Sequence, residues 1–152
     1  MPEPTQPDPV QPLRDALRIS PGNLPLRRHL APQLIGLGRL AEAEAELKAA
    51  AKLAPAAAEI KLALARCFDR QGKASQAIVV LEDLAGGDSA PAEGRVLLAK
   101  LLLRRGDVQA AVSHYQRALE SDPSAEDEEL TEALGGRPPG HRLTVATASG
   151  QP

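Results

Sequence analysis

The sequence predicts an all-α protein built from repeated helix pairs, and three observations lead there. Ala and Leu dominate the 152 residues, Trp is absent, and Phe68 and Tyr115 are the only aromatics. A core without large rings has to be built from Leu, Val, Ile and Ala. That favours closely packed helices, because Ala and Leu are strong helix formers while β-branched and aromatic residues are scarce. The second observation is a recurrence every 34 residues, and the third is helical spacing of apolar residues within each recurring unit.

The recurrence is carried by several columns at once. Gly38, Gly72 and Gly106 are separated by 34 residues, as are Leu30, Leu64 and Leu98. Ala31, Ala65 and Ala99 keep the interval, and so do Leu34, Phe68 and Leu102; Ala43, Ala77 and Ala111; and Leu47, Leu81 and Tyr115. Pro21, Pro55 and Pro123 lie on the same lattice, with Ser89 in the missing place. Within the middle unit Ile60, Leu64 and Phe68 form one stripe before Gly72, and Ala77, Leu81 and Leu84 form another before Gly86. Each glycine of the 38/72/106 series is expected to end a first helix, where positive φ is cheap only for Gly. The small Ala31, Ala65 and Ala99 let a second helix approach, and the larger 47/81/115 series fills the space beside it.

These columns together resemble the tetratricopeptide repeat over about residues 13 to 123. The resemblance implies antiparallel helix pairs stacked into a right-handed α-α superhelix, a solenoid whose concave face binds ligands. The chain departs from the family pattern where a large apolar residue often opens the first helix, since Arg27, Lys61 and Arg95 stand there. The small Gly of the family is Ala in all three units.

The elements follow in order. Residues 1–12 hold five prolines among polar residues and read as a disordered tail. The solenoid then spans 13–134. Segment 13–19 matches the end of a second helix, because Leu13 and Ala16 fall 34 before Leu47 and Ala50, so it serves as an N-terminal half-repeat. Three repeats follow at 24–57, 58–91 and 92–125, with helix pairs expected at 24–37 and 41–53, 58–71 and 74–85, and 92–105 and 108–120. Pro32 lies inside the first of these, where a proline costs roughly 3 kcal/mol in a regular helix. Gly36 weakens it further, so a kink or a partly opened first unit is expected. Residues 125–134 read as a polar capping helix, with Ser124 as N-cap and acids in its first turn. Residues 135–152 are rich in Gly, Pro and small polar residues, and read as a flexible tail or a linker into a longer protein.

Several functions lose support. The formal charge of −2 gives no argument for nucleic acid. No run approaches the roughly 20 apolar residues that cross a bilayer. The start MPEPTQPDPV lacks the basic and apolar stretches of a signal peptide. The single Cys67 cannot form an internal disulfide, and a cytoplasmic protein is the default. His29, His114 and His141 have no partners at metal-ligand spacing, Cys67 flanks an apolar stripe, and neither Gly pair is followed by the Lys of a phosphate loop. The expectation is no enzyme, no metal and no cofactor.

The family's concave face, lined mainly by first helices, supplies the candidate site. On the lattice Glu59 aligns with Glu93, Leu62 with Val96, Arg66 with Lys100, and Arg70 with Arg104. Each set advances by three or four residues and keeps to one helical face. The expected surface is a stripe of four cations beside apolar contacts from Leu62, Val96 and Leu103, suited to an acidic peptide. The plainer alternative is that these bases only solvate helix ends and favour their dipoles. The family's clamp for chaperone C-termini is not matched: its places hold Arg28, Pro32, Ala63, Glu93 and Leu97, and only Arg28 keeps the needed charge.

From residue 13 to 120 there are 16 Lys or Arg and 12 Asp or Glu, a net of +4, followed by six acids from Asp122 to Glu132 with no base. That acidic segment either shields the basic face or merely keeps the end of the array solvated. The leading functional reading is a scaffold or adaptor binding a protein or peptide. The others are an N-terminal module of a larger enzyme, such as a bacterial AAA-type ATPase, and a self-associating assembly protein forming homo-oligomers.

Overall fold

The computed structural model describes residues 5–87 and 89–136. Among them are eight α-helices and no strand: α1 (Gln11–Ile19), α2 (Leu24–Gly36), α3 (Leu40–Leu53), α4 (Ala58–Arg70), α5 (Ala74–Ala85), α6 (Ala92–Arg105), α7 (Val108–Ser121) and α8 (Glu128–Ala133). A 3₁₀ turn, Pro123–Ala125, precedes α8. The six helices of the three repeats lie within a residue or two of the expected bounds. The tails' remaining residues, 1–4 and 137–152, lie outside the described residues.

The lattice has a direct physical counterpart in the three turns that close α2, α4 and α6. Gly38, Gly72 and Gly106 adopt φ of 73°, 74° and 90°. Each glycine amide donates to a carbonyl three residues back, and the next amide donates to one five back: Arg39 to Leu34 at 2.8 Å, Lys73 to Phe68 at 2.9 Å, and Asp107 to Leu102 at 2.9 Å. These are the paired bonds of a helix end that requires a left-handed residue. Nothing lies within 4 Å of where a Cβ would sit at any of the three, so backbone conformation alone demands Gly. The columns 30/64/98, 31/65/99, 34/68/102, 43/77/111 and 47/81/115 are buried at every member. Equivalent positions therefore share equivalent environments.

The chain divides into two compact units, Met1–Val80 and Leu81–Pro152. In the first, α1 packs on α2, α2 on α3, and α3 on α4. Asn23 starts α2 by accepting the Leu26 amide at 3.0 Å, with Pro25 in the first turn where its missing N–H costs nothing. Buried Leu30, Leu34, Leu47, Ile60 and Leu64 form the core, each contributing about 1.5–3 kcal/mol when fully withdrawn from water. The expected opening at Pro32 does not occur, because α2 runs unbroken from Leu24 to Gly36. Pro32 sits on the exposed side, so the Arg28 carbonyl that loses its donor can turn to water, while Leu30, Ala31 and Leu34 hold the other side in the core.

The expected tail boundary at residue 12 also needs correction. Val10 is fully buried, the Asp8 carboxylate accepts the Val10 amide at 3.1 Å, and Arg39 grips Asp8 through two bonds of 2.8 and 2.9 Å. Ordered chain thus begins before residue 13, and α1 starts at Gln11 with Pro12 in its first turn. Proline richness suggested disorder, but a proline in a first helical turn is pre-set for helix, and buried Val10 and Leu17 dock it.

In the second unit α6 packs on α7, and the 3₁₀ turn lies against both. Tyr115 is fully buried in α7. Its hydroxyl accepts the Asp127 amide at 2.9 Å, reaches the Asp127 carbonyl at 3.2 Å, and meets the Thr131 hydroxyl at 2.7 Å. The expected cap of residues 125–134 is therefore a turn followed by a shorter helix, and Ser124 is not its N-cap. Asp127 is, accepting the Leu130 amide at 2.9 Å, while Asp122 caps the 3₁₀ turn by accepting from Ser124. Asp is as good an N-cap as Ser, and Leu130, buried on the inner side of α8, selects the register that uses Asp127.

Candidate functional site

In the first unit, α2 and α4 carry Arg28, Glu59, Leu62, Arg66 and Arg70. Arg28 Nη2 lies 2.9 Å from Glu59 Oε1, both side chains half-exposed, so the pair ties α2 to α4 at the solvent rim. Arg66 and Arg70 are exposed, and Arg70 reaches the Ile35 carbonyl at the end of α2 across a long 3.4 Å. That contact fits the helix-end role that competes with ligand binding for these bases. Leu62 has to be withdrawn as an apolar contact for a partner: it is 4% exposed and belongs to the core. Periodicity assigns a side chain to a helical face but does not tell how far its neighbours cover it.

In the second unit Glu93, Val96, Lys100, Leu103 and Arg104 lie along α6. Glu93 and Arg104 are exposed; Val96 and Leu103 are half-buried and keep part of their apolar surface available. Lys100 is engaged from within the chain. Its Nζ is 2.6 Å from Asp127 Oδ2 and 3.6 Å from Glu129 Oε2. The hydrogen bond to Asp127 raises the Lys100 pKa above the ordinary lysine value, against the opposing effect of burial. Burial pushes the Asp127 carboxyl up, but the Lys100 bond and the Leu130 amide outweigh it and leave it below the usual carboxylate range.

Sequence reasoning missed these acid partners, although the signal existed: Asp127 falls 34 residues after Glu93, which falls 34 after Glu59. One more lattice step would have found the residue that meets Lys100. The repeat spacing also gave no role to Glu44. Glu44 is 8% exposed, accepts Lys48 at 2.5 Å, Lys73 at 2.7 Å and Gln71 at 2.9 Å, and its pKa falls to about 2, led by the Lys48 and then the Lys73 bond. Both ammonium groups lie over the Phe68 ring, at 5.5 and 5.9 Å from its centre. The Glu44–Lys48 spacing was the only local hint, because Lys73 and Gln71 arrive through the tertiary fold.

The Arg27 and Arg95 departures from the family pattern have a structural use. Arg27 bonds the Pro21 carbonyl at 2.8 Å and Glu46 at 2.5 Å, and Arg95 bonds the Ala85 carbonyl at 3.1 Å. Each guanidinium fastens the segment preceding its helix. A cleft of about 630 Å³ beside α1 is lined by Arg14, Arg18 and Arg27 against Leu17 and Pro21. Every one of these cations is held by a carboxylate, from Glu42, Asp15 and Glu46 respectively.

The reactive groups are placed for structure. The Cys67 thiol is buried, donates to the Leu40 carbonyl at 3.3 Å, and has its pKa raised chiefly by burial, which is the opposite of an activated nucleophile. His29 meets Gln33 at 3.0 Å. Burial, then Arg95 and Arg117, lower the His114 pKa. His141 lies outside the described residues. Among those described, no group of His, Cys, Asp and Glu could hold a metal ion, and no helix is long and apolar enough to cross a membrane.

Comparison with known proteins agrees with the repeat geometry. Two models of the tetratricopeptide repeat match, one over residues 34–101 and the other over 92–124. A comparison with curated proteins gives no significant match. Among solved structures, MamA superposes with a TM-score of 0.74 at 17% identity, covering 83% of this chain and 72% of its own. TTC0263, a thermophilic TPR protein of Thermus thermophilus, gives 0.64 at 24% identity, covering 84% and 70%. YrrB, described as a TPR protein with an unusual peptide-binding site, gives 0.69 at 17% identity, covering 83% and 64%. At these identities the likeness is one of fold.

Proposed function

The chain belongs to the tetratricopeptide repeat family, and on that premise we propose that it is a non-catalytic scaffold recognising a partner segment on the first-helix faces of its repeats, the concave surface of the family. The observation that carries this reading is the exposure of charged side chains along those helices. Glu59, Arg66 and Arg70 face solvent on α4, and Glu93 and Arg104 do so on α6, while the columns 64/98, 65/99 and 68/102 between them are buried. Such a face sums modest contacts over several turns, with charge mainly steering encounter and fixing register. The net charge of +4 over residues 13–120 favours an acidic segment, and Val96 and Leu103 supply apolar contact. The peptide-binding site attributed to YrrB supports the general mode but lends no ligand chemistry at 17% identity.

Affinity capture followed by mass spectrometry tests the reading, comparing the natural chain with a variant carrying Arg66→Glu and Lys100→Glu. Partners should be lost from the variant while its helicity is unchanged. Identical partner sets in the two samples would show that these faces select nothing.

A further inference from the structure

We propose that the surface of α6 and α7 beneath α8 is a binding site for a short acidic helical segment of a partner protein, and that residues 127–131 of this chain occupy it as a resident ligand. The inference rests on the scaffold reading and names the chemistry of one of its sites.

The seated segment shows what the surface accepts. Lys100 takes a carboxylate at 2.6 Å, and a second lies within 3.6 Å. The Tyr115 hydroxyl, on a fully buried ring, meets both the amide and the carbonyl of Asp127, groups any partner backbone would offer. Three residues after Asp127, Leu130 is buried to 1% exposure, and Thr131 completes the contact through its hydroxyl. The ligand pattern is therefore an acid, a leucine three residues later and a hydroxyl next to it, on one turn of helix. Further acids on the outer side, here Glu128, Glu129 and Glu132, remain in solvent.

Two features mark the segment as exchangeable. It holds on by one large apolar side chain and a few polar contacts, and a helix of six residues cannot keep its shape unless seated. It also engages Lys100, the lattice equivalent of exposed Arg66, so it covers on one first helix a position that the other presents to solvent.

The test uses a fluorescein-labelled peptide copying residues 124–134, titrated by anisotropy at low salt against the full chain. An occupied surface lowers apparent affinity by the fraction of time it is free. A chain unseated by Asp127→Ala with Leu130→Ala should therefore bind the peptide at least about tenfold more tightly than the natural chain. Adding Lys100→Glu should abolish that gain. Equal binding by the natural chain and an unseated chain that has lost no helix beyond α8 overturns the proposal, as does a gain that survives Lys100→Glu. Should the double variant lose helix beyond α8, Thr131→Val, which removes only the hydroxyl contact, replaces it; a smaller gain is expected, and no gain overturns the proposal. The capture experiment keeps the two ideas apart. If it loses partners while the peptide titrations coincide, the scaffold reading stands and the resident ligand falls.

Discussion

The first unit is closed by α1 and the residues before it, the second by the 3₁₀ turn and α8, and the two closures use different physics. In the first unit, Asp8, Arg14, Arg39 and Glu42 form a web of ion pairs at the rim, around buried Val10 and Leu17. In the second unit, one Lys–Asp pair accompanies a buried tyrosine hydroxyl that satisfies two backbone groups and a threonine. The interior of the first unit repeats the contrast. There a carboxylate, Glu44, is covered by two half-exposed ammonium groups and an amide that bond it. Exposed ion pairs contribute little to stability, whereas buried anchors and hydrogen bonds to buried groups contribute more. The abundance of charge contacts in the first unit is thus a poor guide to what holds it.

Several measurements would break or sharpen this contrast. The largest effect is expected for Leu130→Ala, which should cost about 3 kcal/mol through lost burial and an incompletely filled site. It would appear as lost amide-exchange protection in α8, with the first unit unchanged. Glu44→Ala comes next, at about 1–2 kcal/mol, because half-exposed Lys48 and Lys73 lose charge-assisted bonds that solvent partly screens. Denaturant midpoints would read it.

The same residue predicts a pH dependence. The folded pKa of about 2 lies below the ordinary 4.5, so the stability Glu44 contributes is present above pH 4.5 and is lost as pH falls towards 2. Natural and Glu44→Gln chains should therefore differ at neutral pH and converge near the acid end; a constant gap would remove Glu44 from the account. Tyr115→Phe should cost about 1 kcal/mol, the value of a hydrogen-bonded hydroxyl in a buried place, and should loosen the same amides as Leu130→Ala. Arg28→Ala, at the exposed pair with Glu59, should change stability by about 0.5 kcal/mol or less. A larger loss there would reverse the ranking of rim and interior.

Legibility followed the range of each interaction. The helix bounds, the three glycine turns and the buried columns could be read from the chain, because they depend on backbone propensity and on a pattern repeated three times. The environments of the candidate residues were not legible: Arg66 and Arg104 are exposed, Leu62 is in the core, and Lys100 meets Asp127. Val10 and Asp8 were hidden by proline-rich composition, and their anchoring depends on Arg39, 31 residues away from Asp8.

By itself, then, the amino-acid order determined the repeat: where helices stop, which side chains turn inward, and which family the chain resembles. Those outcomes need only local conformational preference and the burial of an apolar stripe. The tertiary structure alone decided which charges meet. An ion pair depends on a few ångströms between side chains from different helices, and residue spacing along a chain does not specify that distance. Hence the partner of Lys100, the three groups that bond Glu44 and the true start of α1 became visible only once the helices were packed.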